Sequence, residues 1–249
     1  MRPAGLCVLH YNREETKEES ISLMLTLLLR GDVTSAIVYF ISTVFVVFCT
    51  LPVHEFAHAL TANKLGDHTA RNMGRMTLNP FAHIDWLGAA MILLVGFGWA
   101  RPVPVTMSRL NHPKRDMALV ALAGPVSNLI MGFVLLLLAD TVFYLLIAQS
   151  IAASFFYYVY LFLINAALIN VSLAVFNLIP VPPLDGSRIL GALLPDRLYY
   201  KLMQYEQYLY IILMILLITG ALSTPLNYLC SWIFNGLSHI VSLPFSLIH

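Results

Sequence analysis

Residues 36–62 read AIVYFISTVFVVFCTLPVHEFAHALTA, and inside this apolar run His54-Glu55-Phe56-Ala57-His58 stands where nothing charged is expected. The run exceeds the ~20 apolar residues that cross a bilayer as a helix. On a helix, His54 and His58 at i and i+4 share one face and can converge on one metal ion. Glu55 lies beside them, where a carboxylate can take a proton from a water activated by that metal. With 8 histidines and 6 glutamates in 249 residues, HExxH is expected by chance roughly 0.006 times per chain, so the pattern is read as a metal motif. A pair of core histidines bonded to neighbouring helices is the plainer reading, and it leaves Glu55 without a purpose. Ionisable groups at membrane depth are costly and mark a functional site by default.

Composition agrees with the placement of that run. The chain is 59% hydrophobic and 11% charged, with a mean hydropathy of +0.79. Soluble domains carry about 25% charged residues, so the chain is read as an all-α polytopic membrane protein in contact with the lipid bilayer. A net charge of +1 offers no case for a nucleic-acid partner. Cys7, Cys49 and Cys230 are far apart, form no metal knuckle and no disulfide framework, and are read as packing residues.

Three regions follow from the hydropathy. Residues 1–32 combine a polar tail at 1–20, expected to be disordered, with a short apolar segment at 21–29 that offers Met24 as an alternative start. Residues 33–204 form the membrane core, and 205–249 hold C-terminal membrane helices. Spans are expected near 36–62, 116–148, 155–178 and 208–222, with 226–248 a final span or an interfacial helix; the bundle then has about 4–6 transmembrane helices. Ala123-Gly124-Pro125 is expected to kink or reset the second of these, its small residues permitting close helix contact.

The apolar run at 86–100 is different, being too short to span comfortably and punctuated by Gly96, Gly98, Pro102 and Pro104. Lys64, Arg71 and Arg75 precede it, and Arg101, Arg109, Lys114 and Arg115 follow it. Were it to span, one basic loop would face the wrong side of the membrane. A re-entrant segment, β-hairpin-like in form, keeps both basic loops on the cytoplasmic side. Placing 63–115 and 186–201 inside puts ten of the fourteen Lys and Arg there, and the HExxH residues fall at the cytoplasmic end of their helix.

A catalytic metal takes three protein ligands and keeps one position open. Glu206 is the only glutamate after Glu55, and Asp185 is the stronger candidate. Pro180, Pro182 and Pro183 cannot continue the preceding helix, so the chain returns extended toward the depth of the histidines. A proline turn with a helix-capping Asp185 remains the alternative on spacing alone. His83 and Asp85 either orient a ligand imidazole or simply fix a turn. An extended substrate pairing with the edge near Val103 and Val105 is one way of holding it.

HEFAH on an early membrane helix, followed in order by GRMTLNPFAHID at 74–85, GWARPVPV at 98–105, ALAGPVSN at 121–128 and FNLIPVPPLDG at 176–186, resembles the site-2 protease family of intramembrane zinc metalloproteases, in its compact prokaryotic branch. The resemblance covers roughly residues 36–200, with Trp86 in place of the proline expected after His83-Ile84-Asp85. It implies one Zn2+ per chain on His54, His58 and Asp185, Glu55 as general base and proton donor, and Asn177 beside the site holding substrate or oxyanion. It also implies a helical bundle with a re-entrant β-like element, transmembrane protein substrates, and a bacterial plasma membrane with the site toward the cytoplasm. Two other classes are weighed. A metal transporter calls for further His or Asp residues along a pathway across the membrane. A silent partner-binding homologue would be expected to lack Glu55 or Asp185, and both are present.

Overall fold

A computed structural model describes residues 27–95, 98–144 and 153–246. The polar tail at 1–20 and Met24 lie outside the described residues. The first helix, α1, covers Val33–Lys64, and Asp32 caps it by accepting the Ser35 N–H at 3.0 Å. One π-helical turn, Val46–Thr50, interrupts the α-helix just before the HExxH residues. Its cause is local: Pro52 has no N–H, and its ring crowds the carbonyl four residues back. The wider turn gives the Leu51 N–H the Val46 carbonyl five residues earlier, and the Thr50 hydroxyl donates to the same carbonyl at 3.0 Å.

After the short α2 (Thr69–Asn72) and a 3₁₀ turn at Pro80–Ala82 comes α3 (Trp86–Val95). Its 10 residues are about 15 Å long, half the hydrocarbon thickness. The chain then returns to where α3 began. The Arg101 N–H donates to the His83 carbonyl at 2.8 Å. Gly88 and Gly98 allow this return, since a Cβ on Gly88 would come 2.0 Å from Trp99 O and one on Gly98 2.1 Å from Gly88 O. Residues 98–106 carry no regular hydrogen-bond ladder, and among the described residues there is no β-strand. Pro102 and Pro104, lacking donors, oppose such a ladder.

The remaining helices are α4 (Pro113–Val142), α5 (Ala153–Asn177), α6 (Asp185–Leu193), α7 (Asp196–Gln204), α8 (Glu206–Ile218) and α9 (Ser223–Ser246). Helix α4 begins with Pro113, a residue suited to a first turn, and Asp116 Oδ2 accepts the His112 N–H at 2.7 Å. It runs on through Pro125 rather than resetting there. Helices α4 and α5 form the central pair, with α1 and α9 packed against them and α6 against α4. Leu135, Leu136 and Ala139 of α4 meet Ala166, Ala167 and Val171 of α5, joined by Val46 of α1 and Phe234 of α9. Gly132 lets α4 approach α5 closely, near the Ala167 carbonyl.

Three helical segments are long and apolar enough to cross a membrane: Val33–Lys64, Pro113–Val142 and Phe155–Asn177. Their outer faces stay apolar, with Ile37, Ile41, Ile130, Leu138 and Phe155 exposed, as contact with lipid requires. Glu206–Leu217 is apolar but shorter, so among the described residues three spans meet the length and composition of a crossing where the hydropathy suggests about 4–6. The chain is an integral membrane protein.

Candidate metal centre

The helical repeat of α1 brings His54 and His58 together, with Nε2 atoms 3.0 Å apart and both residues 7% exposed. The third member arrives from far along the chain. Helix α5 ends at Asn177, the proline-rich turn reverses the backbone, and α6 starts at Asp185. Asp185 Oδ2 lies 3.5 Å from His54 Nε2 and 3.3 Å from His58 Nε2. It does not cap its helix; the capping position is Leu184, and no side chain serves as cap. Gly186 permits the approach, because a Cβ there would sit 2.2 Å from the Leu178 carbonyl oxygen.

The donor set fits a metal ion. A tetrahedral ion with bonds of about 2.0–2.1 Å separates its ligand atoms by about 3.3 Å, and the three edges here are 3.0, 3.3 and 3.5 Å. His58 Nδ1 lies 2.7 Å from the Val120 carbonyl, which can only accept, so Nδ1 carries the proton and the Nε2 lone pair faces the cluster. Asp185 Oδ2 is buried with no well-formed hydrogen bond, as expected of an oxygen aimed at an ion. Gly124 of α4 forms the wall behind the histidines: a Cβ there would stand 2.3 Å from His58 Nε2.

Glu55 is buried beside the cluster, and its Oε2 accepts the Val103 backbone N–H at 2.9 Å. The extended return segment therefore reaches the motif helix through a backbone amide. Val103 is itself buried against Ala59 and Ala70, so its amide and its side chain are both engaged inside the protein; Val105 packs at the edge of the same cluster.

Asn177, His83 and Asp85 make their hydrogen bonds to groups outside the triad. Asn177 directs its Nδ2 back to the Leu173 carbonyl at 3.0 Å, although Leu178, the next residue, has its carbonyl against Gly186. His83 is fully buried, and its Nε2 donates to the Thr77 carbonyl at 2.8 Å. Asp85 Oδ1 accepts the Gly88 N–H at 2.9 Å at the start of α3. These two residues fix the turn into α3 and do not touch His54 or His58 through these bonds. Glu206 lines an open groove with Pro183, Gln207 and Tyr210. Reading the sequence missed three participants: Gly124 as the wall, Val120 as the acceptor for His58, and the Val103 amide as the partner of Glu55. The tripeptide Ala123-Gly124-Pro125, with glycine inside a membrane helix, was the one available signal, and it pointed to close packing without naming the imidazoles.

Comparison with known proteins places this geometry. The model for peptidase family M50 matches residues 142–220, which include Asn177 and Asp185. A Bacillus subtilis protein with the name "Putative zinc metalloprotease YwhC" is 41% identical over 185 residues, covering 73% of this chain and 80% of its own. "Putative zinc metalloprotease Rip2" of Mycolicibacterium smegmatis is 32% identical over 191 residues, covering 75% and 70%. An archaeal relative, "Putative zinc metalloprotease MJ0611" of Methanocaldococcus jannaschii, is 24% identical and covers 74% and 87%. No solved structure matches.

Proposed function

The chain belongs to peptidase family M50, the site-2 protease family of zinc metalloproteases, and from that premise we propose that it hydrolyses peptide bonds within or near the transmembrane segments of membrane-protein substrates. The observation carrying this reading is the placement of a buried His54–His58–Asp185 donor triangle at one end of a membrane-spanning helix. The residues that hold zinc are His54, His58 and Asp185. The chemistry zinc supplies there is acidification of a water molecule and polarisation of the scissile carbonyl. Glu55 accepts the proton of the attacking water on a carboxylate oxygen and returns it to the leaving amine. The Val103 N–H holds that carboxylate in place. Asn177 turns its amide away from Leu173 and donates to the developing oxyanion, which is worth up to a few kcal/mol.

The substrate helix has to unwind, because a helix hides its amides in its own hydrogen bonds. The apolar run at 86–100 is read as re-entrant. The short α3 and the hydrogen bond joining Arg101 to His83 support entry and exit on one side. The positive-inside bias supports a site toward the cytoplasm, in a membrane read from the family resemblance as a bacterial plasma membrane.

The test uses the full chain in detergent. Zinc per protein is measured for wild type, Asp185→Ala and Glu55→Gln, and single-span membrane reporters are incubated with wild type and Glu55→Gln. About one zinc in wild type and Glu55→Gln, much less in Asp185→Ala, supports the ligand set. Reporter fragments ending inside the span, absent with Glu55→Gln, support the reaction. Cuts confined to aqueous domains would sink the intramembrane reading. A wild type that holds zinc and cleaves none of the reporters would favour a silent, partner-binding protein.

A further inference from the structure

Asp67 is fully buried just beyond the end of α1, and neither the HExxH motif nor the metal triad explains it. Its Oδ1 accepts the Thr69 N–H at 2.9 Å and the Thr69 hydroxyl. Its Oδ2 accepts the Thr106 N–H at 2.6 Å. Thr69 in turn meets the Thr106 hydroxyl at 3.1 Å and accepts from the Arg109 guanidinium at 3.0 Å. Burial works against the Asp67 charge, but the Thr69 hydroxyl and the two amides outweigh it, and its carboxyl stays below the ordinary carboxylate range.

The backbone that Asp67 grips is the segment that grips Glu55. Between Arg101 and Thr106 only four residues have an amide hydrogen, because Pro102 and Pro104 have none. Arg101 donates to His83 O, Val103 to Glu55 and Thr106 to Asp67. Arg75 holds the Arg101 and Pro102 carbonyls at 2.8 and 3.2 Å from the exposed side. Asp67 is thus the buried anchor at the far end of a short span whose middle amide reaches Glu55. With no sheet ladder to fix this segment, one backbone bond at Arg101 and the side chains of Glu55, Asp67 and Arg75 hold it.

We propose that Asp67 is a positioning residue for the reaction: by fixing Thr106 it sets the place of the Val103 amide, and through that amide the place of the Glu55 carboxylate. The inference rests on Glu55 acting as the base, as read above. It assigns Asp67 no contact with zinc or substrate. A site that must be held to about 0.5 Å needs such support behind its reacting groups.

Amide hydrogen exchange of the full-length protein in detergent tests this without any substrate. A peptide spanning 101–106 reports few amides, and fragmentation resolves Val103 from Thr106. In wild type both are protected. In Asp67→Asn one oxygen is replaced by a donor, and exchange is expected to quicken tenfold or more at Thr106 and at Val103, with zinc content unchanged. Glu55→Ala is expected to expose Val103 alone. Should Asp67→Asn fail to fold, Thr69→Val removes the hydroxyl shared by Asp67 and Thr106 while leaving every backbone amide in place, and Val103 is read again. Loss of protection at Thr106 with Val103 unchanged would overturn the proposal and leave Asp67 a local turn former. Kinetics on a reporter cleaved by wild type give the second readout, a fall in kcat at unchanged KM. A fall confined to KM, or none, also overturns it. A wild type that cleaves nothing counts against the protease reading and leaves the exchange result to stand.

Discussion

Replacing Gly124 by alanine puts a single methyl group into the wall of the metal centre. The added Cβ would lie 2.3 Å from His58 Nε2 and 2.5 Å from both His54 Cε1 and His58 Cε1, where ordinary contact begins near 3.4 Å. The imidazoles or α4 must therefore move by about 1 Å. His58 cannot yield freely, since its Nδ1 is tied to the Val120 carbonyl one turn earlier on the same α4. Overpacking of this kind costs about 1–3 kcal/mol, which at ~1.4 kcal/mol per tenfold corresponds to zinc affinity weakened roughly 5- to 150-fold. A displacement of about 1 Å at reacting groups also lowers rate by about a hundredfold. Gly132→Ala is the control on the same helix, where the nearest atom is Val171 Cγ2 at 3.3 Å and the next is the Ala167 carbonyl oxygen at 3.5 Å. That contact yields by a few tenths of an ångström, so Gly132→Ala is expected to keep zinc. The assay is competition for zinc against a chromophoric chelator, with thermal unfolding of the apo-proteins alongside. Wild-type zinc affinity in Gly124→Ala would refute the close wall.

Gly186→Ala places a methyl 2.2 and 2.4 Å from the Leu178 and Ile179 carbonyl oxygens, both backbone, so Asp185 must shift; zinc affinity measured by the same competition should fall at least tenfold. Asn177→Ala should keep zinc and KM while kcat drops about 10- to 1000-fold, measured on a cleaved reporter, if its amide serves the oxyanion; an unchanged kcat would confine Asn177 to its bond with Leu173. Chelation should lower the unfolding temperature, because zinc at 100 times its Kd stabilises the folded state by about 2.7 kcal/mol; equal temperatures for apo and holo protein would speak against a preformed site.

The parts of this site that were legible in the sequence are those set by short-range geometry. His54 and His58 converge because four residues make about one helical turn, and the structure brings their nitrogens to 3.0 Å. Asp185 was legible because three prolines leave the chain little choice but to stop one helix and return. The helix cap that competed with this reading is a matter of one rotamer, which spacing cannot decide. The Val120 carbonyl, Gly124 and the Val103 amide were not legible, since each acts across 48 or more residues of chain, and two of the three act through backbone groups that no side-chain pattern encodes. Three of the expected spans have the length and composition of a crossing among the described residues; Glu206–Leu217, an apolar stretch that hydropathy registers, is about 18 Å long as a helix, short of the hydrocarbon thickness.

Metal and base are positioned by different parts of the fold, and this makes them separable. The metal donors come from α1 and α6 and are pressed into place by α4, through Gly124 and the Val120 carbonyl. The base shares α1 with two of those donors, yet its carboxylate is held by the extended segment, whose far end is anchored by Asp67. Changes at Gly124 or Gly186 should therefore cost zinc and rate together. Changes at Asp67 should cost rate while zinc stays. Among the described residues, the return segment beside Glu55 has no ladder to break. A change at Asp67 can thus shift the Glu55 carboxylate without opening the helical core, so the two kinds of variant separate rate from zinc.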